Sequence, residues 1–336
     1  MLSTGIVTAT TSQVLLKGQV SFAARLQWWR RRRGLSQLEL AGRAEISQRH
    51  LSFLELGRAS PSRQMVLRLA DALDVPLRQH NALLLAAGFA PTWRESGLDA
   101  PELAQIASAV DRMLTKQEPF PAVAVDRNWR LLKANGAAVR LVEFLVGPIA
   151  PGTPINLADA LVAPDVLRPH LQNWPEVVRY FIRSVEADAA ADGSDETGAL
   201  LERLLAYKGV AAALKGPPSD SASGPVLPMH FRKGKTALSL FTTIATLGTP
   251  QDVTAQELRV ESFFPLDEET AKVLRGWCNQ GQRARPPQMR GLYACYFPSV
   301  RCGRIDHARA THHGMVLSPG YRAVRHLRRA GVLQSV

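Results

Sequence analysis

The sequence predicts a multidomain chain: an all-α domain of five short helices, then an α+β domain, then a basic C-terminal tail that is disordered. Three observations predict it. Between Gly34 and Ser60 two short helical patterns, each opening on its own serine cap, are separated by a tight connection. From residue 120 the order is strand, turn, strand, helix, further helices, and three closing strands. Charge is unevenly placed as well. The net +12 of the 336 residues divides into +1 from Lys17, +6 over residues 21–95 (twelve Lys/Arg against six Asp/Glu), −4 over 96–276 and +9 over 277–336. A basic helical domain beside a mildly acidic body suits a polyanion-binding module joined to a neutral sensor.

Residues 1–20 show no hydrophobic period and are expected to be disordered, a start codon further along being the plain alternative. From Ser21, SFAARLQWWRRRRG reads as a first helix with Phe22, Leu26 and Trp29 on one face. The run Arg30–Arg33 has two readings, solvated cations at a helix C-terminus or phosphate contacts. Ser36 with Glu39 three residues on is a capping box, and Leu38, Leu40, Ala41 and Ala44 are expected to form the buried face of the second helix. Ser47 caps the third, Leu51 and Leu54 face inward, and Gly57 ends it in the left-handed conformation. Its outward positions are Gln48, Arg49, His50, Ser52 and Phe53. Gln and Arg can bond adenine and guanine edges in a bidentate manner, so the pair reads as a helix-turn-helix with residues 47–56 in the major groove. Ser60-Pro61-Ser62 opens a fourth helix with Val66, Leu69, Ala70 and Leu73 buried. Pro76 opens a fifth, which stops at Gly88 and Pro91 and closes a domain of residues 21–93.

The stretch Gly34–Pro91 resembles the Xre (lambda-repressor-like) helix-turn-helix family. The resemblance rests on Leu35-Ser36-Gln37, Ala41, Ile46-Ser47, Leu51-Ser52, Glu55, Gly57, Pro61 and Leu69-Ala70. It implies that Gln37 grips a phosphate and that Gln48, Arg49 and His50 enter the groove, with Ser52 and Phe53 near the backbone or a thymine methyl. Ser47 belongs to the same helix start, and Arg58 and Arg63 at the helix ends are candidate phosphate contacts. For each arginine the competing reading is a solvated surface charge. His50 and Phe53 could equally serve helix-to-helix contact.

Residues 94–119 read as a linker, RESGLD, and a connecting helix with Leu103, Ile106, Val110 and Leu114 at i+3 and i+4. In 120–277, Ala122–Val125 and Trp129–Lys133 are strands around an Asp126–Asn128 turn, and Asn135 caps the next helix. Residues 156–215 are mostly helical, with an acidic loop at Asp188–Thr197. VLPMHFRK and TALSLFTTIATLG form a hairpin at Gly234, Gln256–Pro265 is the last strand, and LDEETAKVLRGW is a short closing helix. Pro121-Ala122, Asp126, Trp129, Asn135, Ala138 and TTIATLGTPQDVTAQELRVESFFPLDEETA are similar to the MmyB-like ligand-binding domain of bacterial regulators. That family also carries an Xre helix-turn-helix in front, with the same SQRHLSF stretch. The resemblance implies a PAS-like fold over 120–277 and a transcriptional regulator whose sensor can hold a fatty-acid-like ligand.

Val123, Val125, Leu131, Phe144, Trp174, Phe181, Phe231, Phe241 and Phe263 (with Ile244) could line a pocket, or be ordinary core. Arg179 could hold a ligand carboxylate by a bidentate fork, or lie at the surface. Two other functions compete with this one. An enzyme with a DNA-targeting domain finds no G-x-S-x-G, H-E-x-x-H, P-loop or G-x-G-x-x-G motif. In a haem- or flavin-binding redox sensor, His170 or His230 could ligate a haem iron, and nothing fixes either. No cofactor is expected.

The tail, 278–336, holds one acid, the three cysteines and four of the eight histidines without any period. Zinc ligation by Cys278, Cys295, Cys302, His307, His312 and His313 lacks the usual C-x2-C pair, so no metal is expected. A disordered extension adding nonspecific DNA affinity, or a frame-shifted end without selected function, are the other readings. The expected partners are double-stranded DNA, a fatty-acid-like small molecule and a second copy of the chain. With neither a signal peptide nor a membrane span, the expected location is cytoplasmic.

Overall fold

The computed structural model describes residues 20–150, 152–216 and 225–283. They fall into two compact units, one up to Glu95 that also includes Gln251–Val253, the other made of the remainder.

The first unit is built from α1 (Phe22–Arg32), α2 (Gln37–Arg43), α3 (Gln48–Glu55), α4 (Arg63–Ala72) and α5 (Leu77–Ala86). Serine side chains cap four of them: Ser21, Ser36, Ser47 and Ser62 each accept from a backbone N–H three residues on. Ser36 and Glu39 form the reciprocal capping box. Gly57, at φ +68°, ends the α3 turn where a side chain would be strained. Phe22, Leu26, Trp29, Leu40, Leu51, Leu54, Val66, Leu69, Leu83 and Leu84 form one core. Leu38 is a correction: it is 65% exposed. Two residues before Leu40 is about 200° around a helix, so Leu38 cannot share the face of Leu40, Ala41 and Ala44.

The second unit opens with a single 3-10 turn, Pro101–Leu103, that runs into α6 (Ala104–Gln117). A five-stranded antiparallel sheet follows, in the order β2-β1-β5-β4-β3. Its strands are β1 (Ala122–Val125), β2 (Leu131–Ala134), β3 (Met229–Lys233), β4 (Thr236–Thr246) and β5 (Arg259–Pro265). Between β2 and β3 lie α7 (Gly136–Val146), α8 (Leu157–Val162), α9 (Trp174–Asp192), α10 (Asp195–Ala206) and α11 (Val210–Lys215). After β4 come α12 (Val253–Glu257) and, past β5, α13 (Glu268–Arg283).

Side-chain alternation gives the sheet two faces. On one, Val123, Val125, Phe231, Leu238 and Leu240 join the helical core of Leu141, Trp174, Val178, Ile182, Leu200 and Leu274. On the other, Ala122, Ala124 and Val260 meet Val110 and Leu114 of α6.

Four expected boundaries shift. Trp129, at φ +61°, belongs to the turn, where the Asp126 carboxylate accepts from the N–H groups of Asn128 and Arg130. The acidic loop shrinks to Gly193 and Ser194, because the Ala-rich end of α9 continues to a left-handed glycine and Ser194 caps α10 at once. Strand β5 starts at Arg259, where pairing with Val125 and Thr246 starts, and the preceding residues form α12 instead. Helix α13 continues through Cys278 to Arg283, so the first residues of the expected tail are helical. The remainder of the tail and residues 1–19 lie outside the described residues.

Candidate nucleic-acid interface and ligand site

On α3, Leu51 and Leu54 are fully buried while Gln48 and Arg49 are exposed at the capped N-terminal end, with His50, Ser52 and Phe53 half-buried. The Ser47 hydroxyl accepts from the His50 N–H at 3.1 Å, so its role is to start the helix. The Arg49 guanidinium lies 5.4 Å from the Phe53 ring, one turn along the same face. Arg58, just past Gly57, is exposed.

Two expected phosphate contacts are engaged inside the fold. Gln37 Nε2 donates to Glu55 Oε2 at 2.8 Å. Arg63 donates to the Ala90 carbonyl at 2.8 Å and to Thr92 Oγ1 at 2.7 Å, holding the chain that follows α5. The Arg30–Arg33 run is likewise split. Arg30 grips Glu55 through Nε at 2.6 Å and also donates to the Leu35 carbonyl. Glu55 raises the Arg30 pKa. Arg33 donates to the Leu73 and Asp74 carbonyls and lies over Trp29. Arg31 and Arg32 are exposed, with Arg32 4.5 Å from the Trp28 ring. In the sequence Glu55 stands out only through the family resemblance, which gives no sign of its part in the fold. It is a buried carboxylate that ties α1, α2 and α3 together.

In the second unit, Val123, Val125, Trp174 and Phe231 lie in the main core, and Leu131, Phe144, Phe181 and Phe263 pack against it. Phe241 does not join them. It pairs with Phe264, one position out of phase with Leu240, and the two rings stack at 5.4 Å on the opposite face. Arg179 is buried rather than at the surface, its Nε donating to the Ala213 carbonyl at 3.1 Å. His230 also lies on the opposite face, its ring bonded to Ser239 at 3.0 Å, and His170 sits in a 3-10 turn.

Two polar side chains on the inner side were not foreseen. Trp129 is buried edge-on against Phe181 at 4.8 Å, and its indole Nε1 has no hydrogen-bond partner. Glu261 pairs across the sheet with Val123 and Ile244, which puts its carboxyl on the inner face beside Phe263. Burial pushes that carboxyl up to about 7, partly opposed by a hydrogen bond from Thr242. The register of QELRVESFFP with VAV was the available signal. Among the described residues no group of three or more His, Cys, Asp or Glu is placed to hold a metal, and no helix is long and apolar enough to cross a membrane.

A family model for the MmyB-like transcription regulator ligand binding domain matches residues 106–276. A helix-turn-helix model matches residues 26–79. No curated protein matches. Among solved structures, one described as an RNA-binding light-oxygen-voltage receptor is 13% identical, covering 84% of this chain and 70% of its own, with a TM-score of 0.22. At that score it carries no argument.

Proposed function

The chain belongs to the family with an MmyB-like transcription regulator ligand binding domain and carries a helix-turn-helix before it, and on that premise we propose that it is a DNA-binding transcription regulator that reads its operator with α3 and responds to a small apolar ligand. The observation that carries the reading is the split of α3 into a buried Leu51/Leu54 stripe and an exposed, capped Gln48–Arg49 end. A helix anchored in this way can enter a major groove without losing its own core contacts.

Gln48 and Arg49 are assigned to base edges and Arg58 to a phosphate, with His50, Ser52 and Phe53 at the groove wall. Ser47, Gln37 and Arg63 act indirectly, by shaping the helix and its surroundings. The apolar inner face, with Phe144, Phe181 and Phe263 only partly covered, supports a long-chain, fatty-acid-like ligand in the second unit. Two copies would read paired half-sites about 34–36 Å apart, the spacing of one DNA turn. Ligand would change affinity by favouring one arrangement of the pair.

The test is binding to an operator duplex and to scrambled DNA. Gln48→Ala or Arg49→Ala should each remove about 1–3 kcal/mol of discrimination between the two. Arg58→Ala should weaken both evenly and reduce the salt slope by about 1. Unchanged discrimination in both reader variants would remove α3 from the groove.

A further inference from the structure

Both outer strands of the second unit's sheet have backbone partners beyond it. On β2 the Leu131 N–H donates to the Ile155 carbonyl. On β3 the His230 carbonyl accepts from the Gln172 N–H, and Leu171 bridges Phe231. One stretch of edge is left over. β3 pairs with β4 only as far as Met229 and Leu240, with Pro228 ahead of it, while β4 runs on to Thr246. Beyond Leu240, among the described residues, no strand pairs with that side of β4. Thr243, Ile244, Ala245 and Thr246 are all exposed, Ile244 by 47%.

The direction of the backbone groups on this stretch follows from one bond. The Ser239 carbonyl accepts from the Leu266 N–H at 2.9 Å, so Ser239 turns its polar groups toward β5. Strand residues alternate in this respect. Phe241, Thr243 and Ala245 therefore bond β5, and Thr242, Ile244 and Thr246 aim N–H and C=O at the open edge. A row of unpaired backbone groups is a template for another strand, and sheets ordinarily blunt it with lysine, proline or a bulge. From Thr236 to Leu247 there is neither charge nor proline. The register with β5 runs from Leu240 to Thr246 without a shift, so no bulge twists the edge away.

We infer that this open edge of β4 pairs with the same edge of a second copy of the chain, joining the two sheets into one across a two-fold axis at Ile244. The inference rests on the reading of the chain as a regulator that acts as two copies. Antiparallel pairing about that axis sets Ile244 against its own counterpart and Thr242 against Thr246 of the second copy. Each residue then exchanges both backbone bonds with the one opposite, and this register uses every outward group on the stretch. On the other face Phe241, half-buried within one copy, meets Leu247 of the second. Because the stretch carries no charge, doubling it opposes no like charges. A single strand edge is small beside a standard interface of about 1,600 Å². The pairing is therefore concentration-dependent in free solution and tightens when two reader helices sit on adjacent half-sites.

The experiment is sedimentation velocity of the full chain from about 1 to 100 μM, with oxidative cross-linking as a second readout. The wild type should pass from monomer to dimer over that range. Ile244→Pro removes an N–H that the sheet itself does not use. It should weaken dimerisation at least about tenfold while keeping the wild-type melting temperature. Where proline unfolds the strand, two cysteine variants decide. Ile244→Cys meets its counterpart at a Cα separation of about 5.5 Å, within reach of a disulfide, whereas Thr246→Cys stands roughly 14 Å from its own. Only Ile244→Cys should give covalent dimer beyond the wild-type background. A dimer unaffected by a folded Ile244→Pro, or equal cross-linking at the two positions, overturns the edge and leaves the two-copy regulator standing. A chain still monomeric at about 100 μM overturns the edge, and its selection of a single half-site would remove the two-copy reading as well.

Discussion

Glu261 gives the clearest single-residue consequence. Its carboxyl titrates at about 7 in the folded chain against an ordinary 4.5, so between those values the native state holds a proton that the unfolded state has released. Stability should therefore fall as pH rises from about 5 to 8, by on the order of 3 kcal/mol. His80, which burial pushes down, works with the opposite sign, since its contribution is lost as pH falls. Urea denaturation of the wild type and Glu261→Gln at both pH values isolates the glutamate: the stability difference between them should move with pH, and a constant difference would contradict its burial. Glu55 makes a second prediction. Its side chain is 1% accessible and Arg30 depends on it, so Glu55→Ala should destabilise the first unit by about 3 kcal/mol. Amide hydrogen exchange in α1–α3 reads that unit by itself. Both residues lay in plain view in the sequence, but a glutamate's worth depends on what a distant segment places beside it. Arg30 is 25 residues from Glu55, and the neighbours of Glu261 come from β1 and β4. No local pattern encodes those encounters. The same limit applies to Gln37 and Arg63, whose polar ends look free until the fold supplies Glu55, Ala90 and Thr92.

At the scale of elements, local chemistry was legible wherever it was self-contained. The four serine caps, the capping box and Gly57 needed only neighbours in the chain, and they set the helices of the first unit. Ser47→Ala should accordingly fray the start of α3 and cost about 1 kcal/mol. It should also weaken operator binding without altering which bases are preferred, since the reader side chains remain. A changed base preference in that variant would mean that Ser47 itself touches the bases. The strands were harder. Phe241 reads as one more apolar residue in TALSLFTTIATLG, and only its pairing with Phe264 shows that it faces away from Leu240. The start of β5 is fixed by where β1 and β4 can still pair with it, not by the apolar alternation that runs back to Leu258.

For the whole molecule, the charge division and the two family resemblances already implied a DNA-reading domain joined to a ligand-binding one, and the two matched family models fall on those same regions. The proposed coupling of ligand to operator was not legible, because in that proposal it depends on the arrangement of two chains on DNA. The central claim, that α3 gives this chain sequence-specific recognition, is met most directly by selecting bound duplexes from random DNA with the purified full chain at two salt concentrations. The account predicts enrichment of one inverted repeat with half-sites a helical turn apart, retained at the higher salt and lost in the Gln48→Ala, Arg49→Ala double variant. Recovery of no common sequence, with binding that disappears as salt rises, would show charge attraction without readout and contradict it.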